Sequence, residues 1–272
     1  MLKRLLKYDL RAMLKYWWIA AISSFVMSII AGGCVNMLIS EYEEPVALTI
    51  LSVLFIIVDI IGLSAFTLIS AILIYVRFYK NFFTDEGYLT FTLPVKRTAL
   101  LNSKLISGTF VMLLTTVVAI INVCITVAIG FWQELFVPEA LEGMAYAIEE
   151  AQKALGVYLI IYAVEIIALF VTALLCSVLF ISICITFASI ITKKARVITA
   201  IGIYYAVNAM VNGITQLVYM IGLDYVVMRL PENNINGPVA VIGFGVILLF
   251  ALSASLLYTL EYWMLDRKLN LA

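Results

Sequence analysis

Histidine is missing from this sequence altogether. Its absence removes the commonest metal ligand and general base, and with them every Ser–His or Cys–His catalytic pair. Charge is scarce: 12% of the 272 residues are charged, where a soluble domain carries about a quarter. The four cysteines, Cys34, Cys124, Cys176 and Cys184, all lie in apolar runs and make no C-x-x-C pair. They read as small apolar residues rather than disulfide or zinc partners. No S-x-x-K or paired-carboxylate motif is present, and no G-x-x-x-x-G-K-[ST] phosphate loop. These absences predict no catalytic residue, no metal site, no cofactor bound by this chain and no nucleic-acid partner.

What is abundant is hydrocarbon. Hydrophobic residues make up 65% of the chain, more apolar surface than a soluble core could hide, so lipid is the expected solvent. A helix needs about 20 apolar residues to cross about 30 Å of hydrocarbon. Runs of that length cover Trp17 to Ile39, Val46 to Val76, Leu105 to Trp132, Val157 to Ile191, Val197 to Ile221 and Pro238 to Leu260. The expected fold is all-α: a polytopic membrane protein of six spans in a single domain, 1–272. The second and fourth runs exceed one perpendicular crossing, which predicts tilt or extension beyond the bilayer.

Acids and bases balance at 17 each, but their placement is asymmetric. With the N-terminus inside, all bases except Lys153 and Arg229 face the cytoplasm, an orientation that puts both termini inside. The first block is too long for a cleaved signal peptide and has no small-x-small cleavage site, so it is expected to remain as an anchor.

Outside the spans, three segments carry pattern. Residues 1–16 are amphipathic at helical spacing, with Leu6, Leu10 and Leu14 beside Arg4, Lys7, Arg11 and Lys15, and Asp9 interrupting the apolar side. The pattern predicts a short interfacial entry helix drawn to anionic membrane lipid, or else a plain basic flank. Residues 134–156 form an outer loop in which Pro138 can start an amphipathic helix and Glu149 can pair with Lys153. Residues 77–104 form the longest inner loop, with Asp85, Glu86 and Gly87 at the tip of a short helix predicted over Tyr79 to Leu89. Leu93-Pro94 breaks it and Thr98 is placed to cap the next helix. Such a loop is either a lever for a soluble partner or an inert basic connector. The outer loop Gly222 to Gly237 is rich in turn residues.

Several polar residues lie within the spans. Asp59 and Glu165 have no base at comparable depth, and ionised carboxylates there cost at least a few kcal/mol. They read either as a proton or cation relay or as groups that hydrogen-bond one helix to another, with Asn36, Asn122, Asn208, Asn212 and Gln216 as candidate partners. In the fifth span Tyr205, Asn208, Asn212, Gln216 and Tyr219 make a polar stripe that lipid cannot satisfy, so it faces protein or a wet pathway. In the first, Ser24, Ser28, Gly32 and Asn36 repeat every four residues as a ridge for close helix packing.

The inner segment Arg77-Phe-Tyr-Lys-Asn-Phe-Phe-Thr-Asp-Glu-Gly-Tyr-Leu-Thr-Phe-Thr-Leu-Pro-Val resembles the loop between spans two and three of type-2 ATP-binding-cassette (ABC) transporter permeases, specifically a Gram-positive bacterial group. The opening Leu-Leu-Lys-Tyr-Asp-Leu-Arg resembles that family's entry helix, and Tyr262-Trp-Met-Leu-Asp-Arg-Lys-Leu-Asn-Leu resembles its C-terminal tail. The resemblance implies the permease subunit of an exporter in the bacterial cell membrane. It implies a coupling helix whose Phe82, Phe83, Asp85, Glu86, Gly87 and Tyr88 dock on a separate ATPase subunit, which carries the ATP and Mg. It further implies a second permease copy or a related one, with the pathway between the two permeases. Many members place re-entrant helices before the last span, for which Gly222 to Gly237 is short. Two other functions remain open: a proton-coupled secondary transporter using Asp59 and Glu165, and a membrane sensor or anchor that transports nothing.

Overall fold

A computed structural model describes residues 2–40, 45–84, 87, 97–192, 195–227 and 236–267. Among them every regular element is a helix. In chain order these are α1 (Leu2–Ile39), α2 (Val46–Phe83), α3 (Arg97–Gly130), α4 (Trp132–Leu135), α5 (Pro138–Leu155), α6 (Tyr158–Ile191), α7 (Arg196–Val227) and α8 (Asn236–Arg267).

Five of them, α1, α2, α3, α6 and α8, are long and apolar enough to cross a membrane. Their side chains bear this out. Ile60 and Ile61 on α2, Ile166 and Ile167 on α6, and Leu249 and Leu256 on α8 are all more than 60% exposed in the single chain. Bare isoleucine and leucine in the middle of long helices fit a surface wetted by hydrocarbon, not water. In α7 the apolar stretch among the described side chains is Val197–Gly213.

The helices outrun the apolar runs that seed them. α1 has 38 residues, about 57 Å at 1.5 Å per residue, against about 30 Å of hydrocarbon. The expected entry helix over 1–16 is therefore not a separate element: it forms the first turns of α1. No glycine or proline precedes Gly32, and one inward stripe of Asp9, Met13, Trp17, Ala21, Ser24 and Ser28 runs through both parts, each at most 5% exposed. In the same way, the start expected for a short helix at Tyr79 is the unbroken end of α2, because no glycine or proline lies between Gly62 and Phe83. Thr98 lies inside α3 rather than capping it. α7 continues to Val227, so Gly222 does not open a loop; Pro231 is the first breaker after it. The outer helix does begin at Pro138, and Lys153 pairs with Glu149 at 2.8 Å. Gly156, with φ of 51°, supplies the left-handed residue that ends α5 before α6 begins.

The chain divides into two compact units, 1–77 with 106–154, and 78–105 with 155–272. In the first, the inward residues of α1, α2 and α3 meet around Trp17. Its ring lies 5.7 Å from Phe66, and its Nε1 donates to Thr115 Oγ1 at 2.8 Å. In the second, α6 packs against α7 and α8, with Val178, Leu179, Ile185 and Ala188 of α6 buried.

Candidate functional site

Three groups of polar side chains stand out. The first holds the first unit together. Every member of the small-residue ridge on α1 is in use. Ser24 accepts from Asn122 Nδ2 at 3.0 Å, Ser28 Oγ donates to Asp59 Oδ1 at 3.0 Å, and Asn36 Nδ2 donates to the Gly130 carbonyl at 3.2 Å. At Gly32 a Cβ would come within 2.8 Å of Ile129 Cβ, so only glycine permits this approach of α1 to α3. Asp59 is 5% exposed. The amides put forward as its candidate partners do not supply its recorded bond; the serine does. That geometry favours a helix-to-helix tie over a relay. Nearer the N-terminus Asp9, 1% exposed, pairs with Arg77 Nε at 3.1 Å and joins α1 to α2.

The second group lines the α6–α8 contact. Tyr162 Oη donates to the Asn236 carbonyl at 2.9 Å, and Cys176 Sγ lies 3.3 Å from the Phe250 carbonyl. Glu165, half-buried, lies against Gly243, where an added Cβ would sit 2.6 Å from its Oε2. Asp59 and Glu165 belong to different units. Sequence reasoning missed Glu261. It falls one residue past the last apolar run, yet it is completely buried, and its Oε1 accepts from Thr186 Oγ1 at 2.8 Å. Its Oε2 has no hydrogen-bond partner among the described residues. The available signal was the absence of any glycine or proline between Gly245 and Glu261, which lets α8 carry the acid inward.

The third group comprises the predicted docking and pathway residues. Phe82 and Phe83 are buried, 1% and 9% exposed, in an aromatic cluster with Phe78 and Tyr79. They pack the end of α2 among neighbouring rings. Gly87 N–H donates to the Thr84 carbonyl at 2.7 Å, and a Cβ on Gly87 would fall 2.8 Å from the Phe82 carbonyl oxygen. A backbone obstacle there demands glycine. Asp85, Glu86 and Tyr88 lie outside the described residues. On α7, Asn212 Nδ2 donates to Asn208 Oδ1 at 3.0 Å. Asn212 and Gln216 are exposed, as is Tyr205. That bond uses one group of each amide, and this side of α7 stays bare in the single chain.

All four cysteines are free thiols, and among the described residues no cluster of three acidic or thiol side chains is placed to hold a metal ion. Comparisons with family models, with curated proteins and with solved structures found no match to this chain.

Proposed function

We propose that this chain is the membrane-spanning permease subunit of an ABC-type exporter in a bacterial cell membrane, working with an ATPase on a separate chain. The observation that carries the reading is the inner segment following Arg77, whose sequence resembles the permease coupling loop. Its setting suits that role. α2 runs unbroken through Lys80 to Phe83 and ends in an aromatic anchor, with Gly87 packed against the Phe82 carbonyl. A rigid helix ending in such an anchor transmits a push along its axis, where a floppy connector would absorb it. Asp85, Glu86 and Tyr88, with Phe82, Phe83 and Gly87, are the segment that docks on the ATPase.

In this reading α7 is the sixth span, both termini are cytoplasmic, and two permeases pair with two ATPases. The bare amides of Asn212 and Gln216 support a partner subunit, because a membrane helix leaves such groups facing protein or water, not lipid. They line the pathway between permeases. ATP binding draws the ATPases together, and α2 rocks with them.

The experiment is co-purification with candidate ATPases that contain a phosphate loop. Reversing Asp85 and Glu86 to Lys is expected to abolish co-purification while leaving membrane insertion intact. Unchanged co-purification removes both residues from the docking surface. Substrate movement by the permease alone in proteoliposomes, driven by a pH gradient, would replace this reading with the secondary transporter.

A further inference from the structure

The N-terminal turns of α1 carry an open groove of about 900 Å³ whose lining is patterned in two ways. One wall is a ladder of bases at every fourth residue, Lys3, Lys7, Arg11 and Lys15. The other is Leu6, Leu10, Leu14 and Trp18, each three residues beyond a base. Successive i+4 positions form a ridge along a helix, and two neighbouring ridges leave a furrow between them. The furrow runs about 22 Å along the axis from residue 3 to residue 18. That is longer than half of the about 30 Å hydrocarbon thickness.

No acid is among the described lining residues. Asp9, the single acid before Glu41, is turned to the opposite side, buried and matched by Arg77. The bases therefore act on whatever occupies the groove without an internal counter-charge. Toward the membrane the apolar wall does not stop. Ile22 and Phe25 follow Trp18 on the same side of α1 and are exposed, so the furrow opens directly onto the lipid-facing strip of the span.

We propose that this groove binds a single anionic glycerophospholipid, its phosphate held by Lys7 and Arg11 and one acyl chain lying along Leu10, Leu14 and Trp18. A zwitterionic lipid brings its own cation against the ladder and gains nothing from it. A soluble phosphate lacks the chain that the leucine wall receives. This inference goes beyond the transport reading and stands without it, because it uses only α1 and charge complementarity.

The test uses full-length protein in a neutral detergent, offered equal amounts of phosphatidylglycerol and phosphatidylcholine, with retained lipid counted by native mass spectrometry. The wild type is expected to keep one phosphatidylglycerol and to release phosphatidylcholine. Lys7→Gln and Arg11→Gln are each expected to weaken retention about fivefold, from about 1 kcal/mol per base. Arg4→Gln removes an equal charge from the same helix outside the groove and is expected to retain lipid as the wild type does. All three positions are exposed, and thermal unfolding verifies that the variants fold. Equal retention of both lipids overturns the proposal. So does an Arg4→Gln loss as large as that of Arg11→Gln, which would reduce the effect to net charge. Displacement of the lipid by millimolar glycerol phosphate overturns it too, leaving a site for free phosphate.

Discussion

Glu261 is held by one hydroxyl, and that hydroxyl has another acceptor. Thr186 Oγ1 lies 3.1 Å from the Ser182 carbonyl as well as 2.8 Å from Glu261. Replacing the acid with an apolar residue of similar volume leaves Thr186 bonded and removes a carboxyl with an unmatched oxygen. Glu261→Leu is therefore expected to melt in detergent at or above the wild-type temperature. A fall of several degrees would show that Oε2 is held by a group not yet identified. Asp9 behaves oppositely, because removing it strands Arg77. Asp9→Ala is expected to cost roughly 1–3 kcal/mol, read as earlier unfolding in a denaturant series. Neither role was legible in the sequence. Asp9 looked like a blemish on an apolar stripe and Glu261 like the first polar residue of a tail. What decided both was which residues of a distant helix came to face them.

Among the helices, the close crossing of α1 over α3 depends on shape more than on chemistry. Gly32→Ala drives a methyl toward Ile129 Cβ and the Thr126 carbonyl, neither able to swing aside. The expected cost is about 1–3 kcal/mol, seen as a lowered melting temperature. Gly243→Ala, by contrast, meets only the far end of Glu165, which can rotate. It is expected to change the melting temperature by much less, and equal losses at the two sites would undo the distinction. The ridge that includes Gly32 was readable in advance, since four small or polar residues at steps of four admit few other uses in lipid. The ends of the helices were less readable. Apolar runs mark where hydrocarbon lies, whereas a helix continues until a breaker stops it. α1, α2 and α7 accordingly extend beyond the runs that announce them.

For the whole molecule, composition alone dictated helices and a lipid solvent, and five long apolar helices follow from it. Pairing among helices could not be read, because near-continuous leucine, isoleucine and valine offer no preferred face. The sparse polar residues restored that information: Ser28 with Asp59, Thr115 with Trp17, Tyr162 with the backbone of α8. The close approach at Gly87 belongs to the same scale, since the Phe82 carbonyl leaves no room for a side chain there. On the proposed coupling role, Gly87→Ala is expected to leave membrane insertion unchanged but to reduce co-purification with the ATPase. Intact co-purification would mean that the close packing at Gly87 is dispensable for docking.

The uncovered amides of α7 bear on the life history of the chain. If the proposed second permease covers them, a subunit made without it exposes polar amides that cellular quality control can recognise. Synthesised without that proposed partner, it should turn over quickly in a pulse-chase, and replacing Asn212 and Gln216 with leucine should prolong its survival while spoiling the proposed complex.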